Sequence, residues 1–103
     1  MPRVRLRTAP QARAQVRRAK DWWTRNRGSS PEFLRDELTR ALELLAEYPD
    51  VGRTYEHPEI PCLRRLLLRR TQYHLYYVHD AAAHEVVVLA FWSAARGRGP
   101  VIG

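Results

Sequence analysis

The stretch EVVVLAFW, residues 85–92, constrains the fold of this chain more than any other. After its first residue every position is apolar, so a strand there puts Val86, Val88, Ala90 and Trp92 on one face and Val87, Leu89 and Phe91 on the other. A strand apolar on both faces belongs inside a sheet that is covered on both sides. The preceding YHLYYV repeats the pattern, with Tyr73, Leu75 and Tyr77 opposing His74, Tyr76 and Val78. The whole chain has 103 residues, which suits a single domain, 1–103, with a thin core. Little chain is left to cover two faces.

The remaining elements follow from periodicity and punctuation. RVRLR near the N-terminus alternates with period two, placing Val4 and Leu6 on one face and Arg3, Arg5 and Arg7 on the other, as in an edge strand guarded by charge. From Pro10 the spacing becomes helical, with Ala12, Val16, Ala19 and Trp23 on one side, and residues 10–26 are predicted as a helix that Gly28 ends. A second helix starts either from a capping box, Ser29 with Glu32, or from Ser30 as N-cap before Pro31. Leu34, Leu38, Ala41, Leu42 and Leu45 form its stripe, and Pro49 stops it near Tyr48. The short RGSS link folds the two helices back as a hairpin. Residues 49–61, with three prolines and a glycine, read as a loop. Strands at 63–69 and 73–79 joined by a turn at RTQ, then 85–92, complete the order β-α-α-β-β-β. This is an α+β domain: an N-terminal strand, an antiparallel helical hairpin and a three-stranded antiparallel meander, with a basic tail, 93–103.

Two helices cover one face of such a sheet. Either a protein partner or a second copy covers the other face, or the tail and the 49–61 loop fold over it; an exposed apolar face on a soluble chain usually marks a binding surface. The expectation is a constitutive partner.

Charge narrows the kind of partner. The net charge is +7, carried by seventeen arginines and one lysine. Residues 1–28 carry nine basic groups against Asp21, residues 29–61 carry eight acidic against three basic, and residues 62–103 six basic against two acidic. Such a surface attracts nucleic acid or an acidic polypeptide. Other chemistry is sparse. Cys62 is a lone cysteine, read as a small buried hydrophobe, and His57, His74, His79 and His84 lack metal-ligand spacing, so neither metal nor cofactor is expected. Trp23 belongs to the core and its neighbour Trp22 to the surface. With neither an apolar run of membrane length nor a signal-peptide pattern, the chain reads as cytoplasmic, without membrane association.

The blocks ALELLAEYPDVGR (41–53), RRLLLRRTQYHLYYVHD (64–80) and EVVVLAFWSAARGRGP (85–100) resemble the ParE branch of the RelE/ParE toxin superfamily. The resemblance implies a helical hairpin on an antiparallel sheet and the toxin half of a type II toxin–antitoxin (plasmid stabilisation) module. It also implies a ParD-like antitoxin, bound as a hetero-oligomer through a disordered, usually acidic segment, and contact with operator DNA only through that antitoxin. ParE-like members poison DNA gyrase, acting as protein inhibitors rather than enzymes; RelE-like relatives cut mRNA on the ribosome. An inactive homologue that only binds its antitoxin is a further alternative.

RNA cleavage without a metal needs an acid, a base and cations. For a ribonuclease the candidates here are Arg64, Arg70, Tyr73 and Arg96. RelE-like nucleases add lysines on the sheet and a tyrosine or histidine near the C-terminus, whereas the only lysine here is Lys20 and neither Tyr nor His follows His84. Many ParE-like sequences read WHARRGR after the last strand; this one reads WSAARGR, with Ser93 at the histidine position and Ala95 at an arginine position. The arginine pairs therefore suit a protein surface. Arg64 and Arg70 are expected on one face and Arg65 and Arg69 on the other, and the partner-binding set is Arg64, Arg65, Arg69, Arg70, Tyr73, Tyr76, Trp92, Arg96 and Arg98, able to pair with the carboxylates of an amphipathic segment.

Overall fold

The computed structural model of the chain describes residues 3–26 and 31–102. The predicted helix end and caps, Gly28, Ser29 and Ser30, lie outside the described residues. The elements are β1 (Arg5–Thr8), α1 (Pro10–Asn26), α2 (Pro31–Glu47), β2 (Arg53–Thr54), β3 (Arg64–Leu68), β4 (Tyr73–Asp80) and β5 (Glu85–Ser93). They build an α+β domain with one five-stranded sheet in the order β1-β5-β4-β3-β2.

Two features differ from the expected meander. β1 is an edge strand, as its arginines imply, but it runs parallel to β5, pairing Leu6 with Val86 and Thr8 with Val88. The 49–61 segment also contributes a short strand, β2, which pairs Arg53 with Arg65 and Thr54 with Arg64.

Both helices lie on one face. Ala12 and Ala19 of α1 and Leu34, Leu38, Ala41 and Leu45 of α2 meet Leu68, Leu75, Tyr77, Val86, Val88 and Phe91 of the sheet in one core. Among these, each leucine, each valine and Phe91 contributes roughly 1.5–3 kcal/mol when fully buried, and each alanine less. Trp23 near the end of α1 meets Phe33 near the start of α2 edge to face, with centroids 6.3 Å apart. The amide of Val4 donates to the carbonyl of Ala46, tying the other end of the hairpin to the start of the sheet.

β5 does not alternate strictly. Tyr76 pairs with Ala90, whereas Tyr77 pairs with Val88, so Leu89 is an extra residue on β5. This bulge switches the phase of the strand. Val86 and Val88 therefore share the helix-side core with Phe91, while Ala90 and Trp92 join Leu89 on the opposite side. The expected grouping of Val86 and Val88 with Ala90 and Trp92 is corrected accordingly.

The second face has its own cover. Leu63, Tyr76 and Ala90 form a smaller cluster with Ile102 from the tail, and Tyr55 and Ile60 from the 49–61 segment pack against it. The loop and the tail thus close the centre of the face for which a partner was expected. The tail is held by the Trp92 indole, which donates to the Arg98 carbonyl at 2.9 Å, and by the Gln11 amide, which donates to the Val101 carbonyl.

Turn chemistry completes the frame. Cys62, Gln72 and His84 have φ of 60°, 62° and 52°, each at a reversal of the chain. Cys62 is exposed in its turn, not buried as expected. Glu37 of α2 holds the β3–β4 turn: its carboxylate accepts from the amides of Arg70 and Thr71, both at 2.8 Å, and from the Thr71 hydroxyl at 2.6 Å. Burial acts to raise the Glu37 pKa, but these hydrogen bonds and the Arg70 charge prevail and leave it lowered.

Candidate functional site

A cleft of about 920 Å³ opens between the second half of α1, the β3–β4 turn and the end of β5. Its floor is aromatic. Tyr73 and Phe91 lie side by side on β4 and β5, their rings parallel within 2° and 4.6 Å apart. Trp23 and Phe33 close the α1–α2 end, and Trp22, 44% exposed, forms a lip. Adjacent helix positions point about 100° apart, which is why Trp23 packs inward while Trp22 stays in solvent.

Four guanidinium groups surround this floor: Arg18 and Arg25 from α1, Arg70 from the turn and Arg96 from the tail. Asp21 is the acidic residue in the lining. Arg70 lies over the Phe33 ring at 4.6 Å, and Arg96 over the Trp92 ring at 4.1 Å. Such stacking is worth about 0.5–1 kcal/mol at an exposed site and leaves the N–H edge of the guanidinium available to an anion. The Glu37 clamp on the Arg70 and Thr71 amides sets where Arg70 begins.

Of the expected site residues, Arg70, Tyr73, Trp92 and Arg96 come together here. Arg64 does not join them. It faces the helix side and donates to the carbonyls of Asp50 and Gly52 at 3.2 and 2.7 Å, with the Asp50 carboxylate 3.8 Å away. Asp50 also meets His79, at 2.9 Å, so this cluster fastens the segment after α2 to the sheet. Arg65 lies on the opposite face, 4.8 Å over the Tyr55 ring. Tyr76 is 2% exposed beneath Tyr55, with ring centroids 5.2 Å apart, and offers no surface to a partner in this conformation. Arg69 and Arg98 are exposed, in the turn and in the tail. The expected partner-binding set is thus divided: Arg64 and Arg65 lie apart from the cleft, where β2 pairing, the Asp50–Gly52 segment and Tyr55 engage them.

The ionisable groups are tuned by burial. Burial raises the Tyr73 phenol pKa, against a hydrogen bond from Trp23 and the charge of Arg96. His74, on the second face beside Tyr76, has its pKa lowered by burial and then by Arg65. Among the described residues no group of three or more His, Cys, Asp or Glu side chains is placed to hold a metal ion.

One residue escaped the sequence reading. Gln15 is buried, and its side-chain oxygen accepts from the Phe91 amide at 2.8 Å. β1 ends at Thr8 beside Val88, so the outer edge of β5 loses its strand partner there, and α1 supplies Gln15 in its place. The signal was its position between Ala12 and Ala19 on the buried side of α1.

Comparisons with known proteins agree with this architecture. The family model described as "ParE toxin of type II toxin-antitoxin system, parDE" matches residues 6–97. A chain from the chromosomal ParDE toxin–antitoxin system of P. aeruginosa superposes with a TM-score of 0.68 at 18% identity, covering 90% of this chain and 98% of that one. A chain of a RelBE toxin–antitoxin complex from Mycobacterium tuberculosis gives 0.64 at 22% identity, covering 88% and 98%. The isolated E. coli RelE toxin gives 0.66 at 19%, covering 92% and 88%. At these identities the superpositions show a shared fold. A search of curated proteins finds no match.

Proposed function

The chain belongs to the ParE toxin family of type II toxin–antitoxin systems, and we propose that it is the toxin of such a module, neutralised by a cognate ParD-like antitoxin and acting by poisoning DNA gyrase. The cleft carries this reading. It combines ordered arginines with an aromatic floor, which suits an acidic amphipathic segment: carboxylates pair with Arg18, Arg25, Arg70 and Arg96 while apolar side chains meet Trp22, Trp23 and Phe33.

The same lining argues against RelE-type RNA cleavage as the primary activity. Ser93 stands in the cleft where many ParE-like sequences have histidine, the four histidines lie outside the lining, and burial moves the Tyr73 phenol pKa further above neutrality. Guanidinium groups stabilise a phosphorane charge but exchange protons poorly. The proposed toxin is a protein inhibitor located in the cytoplasm, and it reaches operator DNA through its antitoxin.

The test uses purified protein, gyrase, ATP and supercoiled plasmid. The expected result is linear DNA released by detergent and protease, abolished when antitoxin is added first. Unchanged gyrase activity from protein that still binds antitoxin overturns the gyrase reading. Ribosome-dependent mRNA cleavage by the same preparation would then establish the RelE-type alternative, and failure of both assays an inactive homologue.

A further inference from the structure

The cations of α1 divide into two groups. Arg18 and Arg25 line the cleft, but Arg13, Arg17 and Lys20 lie at i, i+4 and i+7 on the solvent side of the helix, opposite Ala12, Gln15 and Ala19. Arg13 and Arg17 are exposed and Lys20 is half-buried, and none of the three side chains forms an ion pair among the described residues. Pro10, Ala14, Asp21 and Thr24 are their neighbours on this side: the exposed Asp21, at i+4 from Arg17, borders the ridge towards the cleft, and no exposed large apolar residue lies among them, since the exposed apolar residue of α1, Trp22, belongs to the cleft.

That composition discriminates between partners. A protein interface needs an apolar, desolvated centre, which the cleft has and this ridge lacks. A phosphate backbone needs only donors and positive charge, and neutralising it releases counterions. Arg13 and Arg17, four residues apart, lie about 6 Å from each other along the helix axis, so their guanidinium groups are neighbours on one side of the helix. We propose that the outer ridge of α1, Arg13, Arg17 and Lys20, is a sequence-independent contact for the DNA backbone that holds the toxin on the duplex gyrase is cleaving. Its consequence for toxicity rests on the gyrase reading; the contact itself does not. The cleft and the ridge then serve different partners, antitoxin and DNA.

The experiment compares the full chain with R13Q/R17Q and with R35Q/R40Q, which removes the same charge from α2. Each is titrated with a labelled 20-base-pair duplex of arbitrary sequence across a salt series, with antitoxin by calorimetry, and in the gyrase assay. For R13Q/R17Q the expectation is duplex affinity lower by about tenfold or more, a slope of log affinity against log salt reduced by about two, linear DNA lost in the gyrase assay, and antitoxin affinity within about twofold. R35Q/R40Q should keep the slope. Equal effects of the two variants, or a slope unchanged in R13Q/R17Q, overturn the proposal. So does antitoxin affinity falling in step with duplex affinity, which would assign the ridge to protein binding or to folding. If the unaltered chain leaves gyrase untouched, the gyrase reading fails, while the duplex titration still decides the contact.

Discussion

The amide of Gly52 donates to the Tyr77 hydroxyl at 2.8 Å, and that oxygen sits 2.6 Å from where a Gly52 Cβ would lie. Tyr77 is fully buried, and the Arg65 carbonyl closes the other side of the glycine at 2.9 Å. The segment after α2 is thus fastened to the sheet by a hydrogen bond that only a residue without a side chain permits. Gly52→Ala is expected to cost about 1–3 kcal/mol by overpacking, and Tyr77→Phe about 1–3 kcal/mol by leaving the buried amide without its acceptor. Thermal melts should show both, at roughly 4–8 °C per kcal/mol in a domain of this size.

Gln15 makes the corresponding bond for β5. Gln15→Met keeps the volume but removes the acceptor of the Phe91 amide, so a loss of about 1–3 kcal/mol is expected, together with faster hydrogen exchange at Phe91. Arg17→Met, about half a turn away on the other side of α1 and exposed, serves as the control and should leave both unchanged.

Glu37 gives the fold a defined acid dependence. Its folded-state pKa is lowered, so its stabilising effect is fully present above the ordinary value of 4.5 and is lost as pH falls through the lowered folded value. The difference in melting temperature between the unaltered chain and Glu37→Gln should be constant from about pH 6 to 8 and shrink steadily in acid. A difference that grows as pH falls would contradict the assignment.

Arg70→Glu should weaken antitoxin binding by about tenfold or more, because it removes an ordered cation from the cleft and places a like charge before an acidic partner. Arg13→Glu, outside the cleft, should change it by less than about twofold. Isothermal titration at one salt concentration makes the comparison, and equal losses would move the antitoxin surface away from the cleft.

The tail closes the second face through one side chain. Ile102→Ser should expose the Leu63, Tyr76 and Ala90 cluster and raise binding of an apolar dye, at a cost of about 1–3 kcal/mol, whereas Val101→Ser, at a position 85% exposed, should be neutral.

Local information decided the elements. The spacing of Ala12, Ala19 and Trp23, and of Leu34, Leu38, Ala41 and Leu45, marks two helices, with Pro10 opening the first and Pro49 lying just beyond the second. The unbroken apolar run of β5, and the apolar and aromatic residues on both faces of β4, placed these strands inside the sheet, because a strand apolar on both sides tolerates no wet face. The arginines of β1 likewise suited an edge.

What depended on distant partners was decided only by the tertiary structure. The bulge at Leu89 is a matter of register between β4 and β5, and a one-residue slip reverses every side chain beyond it without altering composition or hydropathy. The parallel pairing of β1 with β5 joins residues about eighty positions apart, and it exposes the stretch of β5 edge that Gln15 then satisfies. Arg64, Arg65 and Arg70 look alike in sequence. Arg64 is tied to the Asp50–Gly52 segment, Arg65 lies over Tyr55 on the second face, and Arg70 enters the cleft over Phe33, because strand alternation and the neighbours that folding brings to each, not the residue type, determine where its charge is spent.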